Sequence, residues 1–394
     1  HSIRRRQRQM CIRDSTQVNR LTFANQIKST TCTDVMWFAR NDFKNLDLGN
    51  HNYRKNIRMR KPTLSQIAKQ LGLSTATVSL AMKENSRISE RTRASVKEAL
   101  SESGYVYQRS AAGLRKAKTD TVGIVLNNVS DPSFSKLLGS IERELAKCGK
   151  TVFLCNTDEK VERQSEFIRK MSEYNADGIV LVPAMGTQAT DLEEIEKFSP
   201  PIVCLSREIS GYSIDSVVAD ETLAGYTAAK HLLNQGHRRI AAIGGTVSIS
   251  PFNRRMKGIR QAFDEVGQEF DHALIFECRP VRAQGYEAAA RILGFENPPT
   301  AAIGYNAIVT LGLKAGLQSL GKKIGDNFSL IANEGIDELQ HTHPPLSTTS
   351  IDLKEMGRVV IQQLLSRISD PTTPTKLTLV PTELILTDSV SPRR

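Results

Sequence analysis

The chain has 394 residues, of which 39% are hydrophobic and 24% charged, and its formal net charge is +11. This length is sufficient for two or three domains with buried cores. No stretch approaches about eighteen consecutive apolar residues, and the amino terminus lacks the apolar core of a signal peptide, so we expect a cytoplasmic protein with no membrane partner.

The positive charge is concentrated toward the amino terminus. Residues 1–58 and residues 59–118 each carry 12 Lys or Arg against 4 Asp or Glu, whereas the rest of the chain is mildly acidic. A small basic module joined to a larger acidic body is typical of a protein that binds nucleic acid and has a separate regulatory domain.

Residues 1–58 show no sustained helical or strand period, and they begin with His. We expect this segment to be non-native or a disordered basic extension, with Met59 starting the first domain. The alternative is a genuine basic arm that adds nonspecific affinity for DNA.

Two short helices joined by a tight turn are predicted between Thr63 and Met82. Thr63 and Gln66 have the spacing of a capping box, which predicts a helix start at Thr63. Gly72 can take the positive φ that ends this helix, and Ser74 is a good N-cap for the next one. The second helix surrounds a single buried anchor, Val78, with small hydroxyl residues that allow close approach to phosphates and base edges.

A third helix is predicted to begin at Ser89 and to end near Gly104. From Thr63 to Arg115 the chain resembles the DNA-binding headpiece of the lactose-repressor family of bacterial transcription regulators. The resemblance implies a helix-turn-helix domain over residues 59–106. It also implies a hinge helix and linker over residues 107–118, which order when two copies meet in the minor groove of the operator.

The resemblance also supplies the expected DNA contacts. Residues that usually contact bases fall on Thr75, Ala76 and Leu80, and none of them is Arg, Gln or Asn, so we predict readout through thymine methyl groups and DNA shape. Leu114 matches the leucine that wedges between base pairs, and Tyr107 and Gln108 replace the usual Pro-Asn. The expected DNA-binding residues are Leu64, Ser74, Thr75, Ala76, Thr77, Ser79, Leu80, Lys83, Ser89, Ala111 and Leu114.

From Thr121 onward, short apolar runs alternate with amphipathic stretches, which predicts a doubly wound α/β architecture. Buried parallel strands are predicted at 122–126, 151–155, 178–182 and 202–205, with helices near 134–148, 160–174 and 190–197. A second half begins near Asp220, with strands at 240–243, 274–277 and 300–304 and helices at 221–236, 254–266, 284–293 and 306–320. Two such halves enclose a cleft at the carboxyl ends of their strands.

The family resemblance extends over this effector-binding and dimerisation domain, residues 119–394, and implies the two-lobed fold of periplasmic sugar-binding proteins. The implied lobes are residues 119–219 with 350–368, and residues 220–349 with 369–388. The matching ligand positions are Ser133, Phe134, Ser206, Arg207, Arg255, Asn306 and Glu334. Two positions where the family often has Asp are occupied by Ala307 and Glu334 in this chain. Together with Arg207 and Arg255, these replacements favour an anionic or phosphorylated sugar over a neutral one.

No pattern indicates an enzyme, a cofactor or a metal site. The run from Gly316 to Lys323 lacks the hydroxyl of a phosphate-binding loop, and His341 and His343 form only a pair. The six cysteines show no metal spacing, and we expect reduced core residues.

The sequence therefore predicts a homodimeric repressor that binds double-stranded operator DNA and responds to a small sugar or sugar phosphate. The alternatives are a solute-binding protein of a transport system, a regulator acting mainly as an activator, and a regulator that responds to a nucleoside or purine.

Overall fold

The structure, a computed structural model, describes residues 62–82, 87–103, 119–196 and 200–393. The headpiece and the large domain are separate compact units. The predicted extension 1–58, the contact at Lys83 and the hinge 107–118 with Ala111 and Leu114 lie outside the described residues.

The headpiece consists of α1 (Leu64–Gln70), α2 (Thr75–Ala81) and α3 (Glu90–Ser103). The predicted capping box is present, because the backbone N–H of Thr63 donates to Gln66 Oε1 at 2.8 Å and that of Gln66 donates to Thr63 Oγ1 at 3.3 Å. Gly72 has a φ of +65° between the first two helices. A small core unites the three helices through Ile67, Ala68, Val78, Ala81, Val96 and Ala99.

The first lobe of the large domain is built on a parallel sheet in the order β11-β5-β4-β3-β1-β2. Its strands are β1 (Thr121–Leu126), β2 (Thr151–Asn156), β3 (Gly178–Leu181), β4 (Ile202–Leu205), β5 (Ser216–Ala219) and β11 (Leu377–Val380). Its helices are α4 (Pro132–Lys147), α5 (Val161–Glu173), α6 (Ala189–Glu196) and α12 (Leu353–Ser369).

The second lobe has the sheet order β12-β10-β9-β8-β6-β7, in which only the β10–β12 pair is antiparallel. Its strands are β6 (Ile240–Ile243), β7 (Ile275–Phe276), β8 (Ala301–Gly304), β9 (Ser329–Asn333), β10 (Ser347–Ile351) and β12 (Thr382–Ile385). Its helices are α7 (Glu221–Asn234), α8 (Ser250–Asp264), α9 (Arg282–Leu293), α10 (Ala307–Ser319) and α11 (Asp337–Gln340). The predicted fold class, a helical headpiece with a two-lobed α/β domain, is confirmed.

Two details of the prediction for the large domain are wrong. The strand at 151–155 is not buried, because β2 lies at the edge of its sheet and leaves Phe153 and Leu154 42% and 46% exposed. The last crossing between lobes does not fall at 368–369, because β11 pairs with β5 in the first lobe and the chain crosses at Pro381.

The cysteines differ from one another in exposure. Cys204 is buried and Cys148 is exposed, so the expectation of a core position fails for Cys148. No helix among the described residues combines the length and apolarity needed to cross a bilayer.

Candidate functional site

The exposed surface of α2 carries most of the predicted DNA contacts. Thr75 and Ala76 are exposed at its first turn, and Leu80 is 44% exposed near its end. Val78 is fully buried, so it fixes α2 against the rest of the headpiece and leaves the opposite face free. This arrangement presents small residues and one apolar side chain to a partner.

Several predicted DNA-binding side chains are engaged within the headpiece. Ser74 Oγ accepts the backbone N–H of Thr77 at 3.0 Å, and Ser89 Oγ accepts that of Thr92 at 3.3 Å, so both serines cap helices. Leu64 packs partly against the headpiece core, and Thr77 and Ser79 are half-buried. Capping still leaves Ser74 and Ser89 exposed at helix starts, where phosphates can approach.

A cavity of about 460 Å³ lies between the two lobes. Six of the seven predicted ligand positions line it, and each follows the carboxyl end of a parallel strand, as expected for this architecture. They are Ser133, Phe134, Ser206, Arg207, Asn306 and Glu334. Arg255 does not line the cavity; it lies behind Glu221 and Tyr305, which do.

Arg207 is buried and already paired. Its two terminal nitrogens donate to Glu159 Oε2 and Oε1, both at 2.9 Å, and one also donates to the carbonyl of Pro183 at 2.9 Å. Burial alone raises the pKa of Glu159, but hydrogen bonds from Arg207 and Asn127 outweigh it, so the net pKa is lowered. Glu159 is therefore an ionised partner that forms an ion pair with the guanidinium of Arg207.

Arg255 is likewise neutralised at short range. Its Nε donates to Glu221 Oε2 at 3.0 Å, its Nη2 donates to the same oxygen, and its Nη1 donates to the carbonyl of Tyr305 at 2.7 Å. Its guanidinium carbon lies 4.7 Å from the centroid of the Tyr305 ring. Arg255 thus positions Glu221 and Tyr305 at the wall instead of presenting its own charge to the cavity.

Hydrogen bonds across the cleft join the two lobes. Asp131 Oδ1 accepts the backbone N–H of Ser133 at 2.9 Å, while its Oδ2 accepts Asn306 Nδ2 from the other lobe at 3.3 Å. Ser133 Oγ donates to Glu334 Oε2 at 3.3 Å, again between lobes. Glu334 has a φ of 66°, which turns the chain sharply after β9. A ligand in this cavity therefore contacts groups whose spacing depends on how the lobes are arranged.

The rim of the cleft is bridged on both sides. Glu208, after β4, accepts from Arg254 Nε at 2.5 Å and Nη2 at 2.8 Å, and its backbone N–H donates to Ser250 Oγ at 2.8 Å. Lys136 Nζ donates to Asp337 Oδ1 at 2.8 Å. These contacts join the two lobes in the described arrangement, and the Lys136–Asp337 pair is the more exposed of the two ion pairs.

Sequence reasoning missed Asp131, Glu159, Glu221 and Tyr305. Asp131, Glu159 and Tyr305 follow predicted strands closely, and Glu221 starts a predicted helix, so their position beside strand ends was an available signal. The sequence could not show which arginine pairs with which carboxylate, because Arg207 and Glu159 are 48 positions apart in the chain and Arg255 and Glu221 are 34 positions apart.

Glu334 should make the stability of the large domain depend on pH. Burial and the negative charges of Asp131 and Glu221 raise its pKa to about 8 from 4.5, against the opposing effect of Arg255. The folded protein then holds this proton more tightly than the unfolded chain, so the free energy of unfolding should fall as pH rises from about 4.5 to about 8. In Glu334→Gln, urea midpoints measured across this window should fall less steeply; an unchanged slope would contradict the assignment.

Comparison with known proteins agrees with both units. The model described as "Bacterial regulatory proteins, lacI family" matches residues 63–108, and "Periplasmic binding proteins and sugar binding domain of LacI family" matches residues 119–387. The HTH-type transcriptional regulator DegA of Bacillus subtilis is 33% identical over 301 residues, 75% of this chain and 88% of DegA. The HTH-type transcriptional repressor PurR of Vibrio vulnificus is 28% identical over 330 residues, 83% of this chain and 98% of that protein.

Solved structures share the fold. The Lac repressor dimer bound to operator and an anti-inducer aligns with a TM-score of 0.76 at 20% identity, covering 84% of this chain and all of that one. A LacI family transcriptional regulator from Enterococcus faecium with bound ribose aligns with a TM-score of 0.62 at 26% identity, covering 70% of this chain and all of that one. Since these relatives are regulators and not enzymes, and the family models cover both units, the chain belongs to the LacI family of DNA-binding transcriptional regulators with an effector-binding domain.

Proposed function

We propose that this protein is a homodimeric repressor whose affinity for operator DNA is set by a small sugar bound between the lobes. The observation that carries the proposal is the presence, in one chain, of a capped helix-turn-helix and a cleft whose wall groups hydrogen-bond across two lobes. A ligand that favours one arrangement of the lobes over another can shift the protein between states of different operator affinity. Binding to operator DNA would require the protein to act in the cytoplasm, which is part of this proposal.

The sugar effector is supported by the chemistry of the cavity. Phe134 and Tyr305 offer aromatic faces to a sugar ring, and the carboxylates and amides around them accept and donate hydrogen bonds to hydroxyl groups. The relative from Enterococcus faecium has bound ribose, which agrees with this class of ligand. A nucleoside or purine is the second candidate, because Phe134 and Tyr305 can also stack on a base.

The homodimer is supported by symmetry and by an exposed surface. Two identical headpieces match the two halves of a near-palindromic operator. Within the part of the chain that the structure describes, the outer edge of β2 pairs with no strand, and Phe153 and Leu154 are exposed. The Phe153 ring stacks on Tyr174 with centroids 5.8 Å apart. An apolar sheet edge of this kind is normally covered, and a second copy would cover it. A solute-binding protein of a transport system would have no use for the headpiece.

Leu80→Arg should change which DNA sequence the protein selects. The native chain, incubated with a random duplex library, should enrich a near-palindrome, and the variant should favour guanine at one position of each half-site, since arginine pairs with the guanine edge. Leu377→Arg is the matched control, because Leu377 is also 44% exposed but lies in the large domain. If Leu80→Arg selected the same DNA sequences as the native chain, α2 would not be the element that reads the bases. If the native chain enriched no sequence, the proposed function would be contradicted.

A further inference from the structure

The charges around the cavity do not fit a phosphorylated ligand. The terminal nitrogens of Arg207 donate hydrogen bonds to Glu159 and to the carbonyl of Pro183. The guanidinium of Arg255 donates hydrogen bonds to Glu221 and to the carbonyl of Tyr305. Arg279 also lines the cavity, but its side chain is exposed to solvent at the mouth. A buried arginine available for a phosphate is therefore absent from the described lining, contrary to the sequence-based preference for an anionic sugar.

The groups in the lining that lack a cationic partner or a full set of hydrogen bonds are acceptors. Within the described part of the chain, Asp131 and Glu334 form no ion pair with Lys, Arg or His, although Ser133 hydrogen-bonds to both. Asn127, 4% exposed, also lines the cavity; its Nδ2 donates to Glu159 at 2.7 Å, but its Oδ1 has no hydrogen-bond partner. The ligand that completes this wall must therefore be rich in hydrogen-bond donors.

We propose that the effector presents a protonated amine to Asp131 and Glu334, so that it belongs to the amino sugars and not to the neutral or phosphorylated sugars. This inference rests on the proposed function, because it takes the cleft as the effector site. Asp131 accepts the backbone N–H of Ser133 and Glu334 accepts its hydroxyl, so the two carboxyl groups lie close together and would repel each other if both were ionised. An ammonium group allows both to ionise and donates three hydrogen bonds. A neutral hydroxyl group donates one hydrogen bond and brings no positive charge to offset a second carboxylate.

The lobes make this contact conformationally selective. Asp131 belongs to the first lobe and Glu334 to the second, so a cation held by both carboxylates favours the arrangement in which the lobes approach. Arg207 and Arg255 form their ion pairs with Glu159 and Glu221, and neither forms an ion pair with Asp131 or Glu334. Ligand charge and lobe closure are thereby coupled.

The test is calorimetric titration of the full chain at neutral pH with glucosamine, galactosamine and mannosamine, each beside its neutral parent and its 6-phosphate, and with hypoxanthine and guanine. We expect one amino sugar to bind about tenfold or more tightly than its neutral parent. Glu334→Gln should remove most of that advantage, whereas Glu142→Gln, at an exposed position of α4 outside the cavity lining, should keep it. Binding should also release protons, seen as heats that differ between buffers, because a pKa raised to about 8 keeps Glu334 largely protonated at neutral pH until a cation binds.

Tighter binding of a neutral sugar, a sugar phosphate or a purine would overturn the inference, as would the absence of binding by every amino sugar. A mobility-shift assay separates this failure from that of the proposed function. If a neutral sugar alters operator binding and the amino sugars do not, the inference of an amino-sugar effector is contradicted, whereas the proposed repressor function is supported. If the chain binds no operator, the proposed function itself fails.

Discussion

Arg255→Ala is expected to lower the free energy of unfolding of the large domain by about 3–5 kcal/mol, because it leaves Glu221 buried without its cationic partner. The side chains of Arg255 and Glu221 are only 6% and 12% exposed, so water replaces few of the lost hydrogen bonds. The carbonyl of Tyr305 loses its donor as well. Urea unfolding followed by circular dichroism measures the loss.

The neighbouring residue on α8 supplies a matched control. Arg254 also pairs with a glutamate, but Arg254 and Glu208 are 28% and 26% exposed, so Arg254→Ala should cost at most about 1 kcal/mol. The double variant Glu221→Gln with Arg255→Ala should recover part of the loss, since it removes the stranded charge. Equal losses in Arg254→Ala and Arg255→Ala would show that burial does not decide the strength of these pairs.

Gly258→Ala should destabilise the large domain by about 1–3 kcal/mol or more and weaken effector binding, because α7 and α8 cross in contact at this residue. A Cβ at Gly258 would lie 1.9 Å from the carbonyl oxygen of Thr222 and 2.7 Å from the backbone nitrogen of Tyr226. The helices would have to separate, and Arg255 on α8 would move away from Glu221 on α7. Urea midpoints and titration with the effector measure the two losses.

Gly139→Ala in α4 is the control for Gly258→Ala. A Cβ at Gly139 meets only the mobile end of Arg143, at 3.5 Å, so alanine should stabilise the helix by about 0.5–1 kcal/mol. The two substitutions are chemically identical and both lie inside helices, so their opposite signs isolate the contact between α7 and α8. Destabilisation by both would mean that this close crossing is not the cause.

Local chemistry made the headpiece predictable from the sequence. The capping box of Thr63 and Gln66, the positive φ at Gly72 and the cap at Ser74 each depend on residues within three or four positions, and all are present. The positions of Ser133, Arg207 and Asn306 at the cleft were also predictable from local sequence. A residue that follows a buried parallel strand reaches the cleft wherever that strand lies in the sheet.

The sequence by itself determined the helical headpiece, the α/β order of the large domain and six of the residues around its cleft, because these follow from short-range periodicity and capping. Only the tertiary structure decided that β2 is an edge strand, that β11 returns to the first lobe and that Arg207 and Arg255 are already neutralised. Ion pairing depends on which strand ends become neighbours and on how closely α7 and α8 cross. Those distances join residues far apart in the chain, as with Ser133 and Glu334, 201 positions apart, and no local pattern contains them.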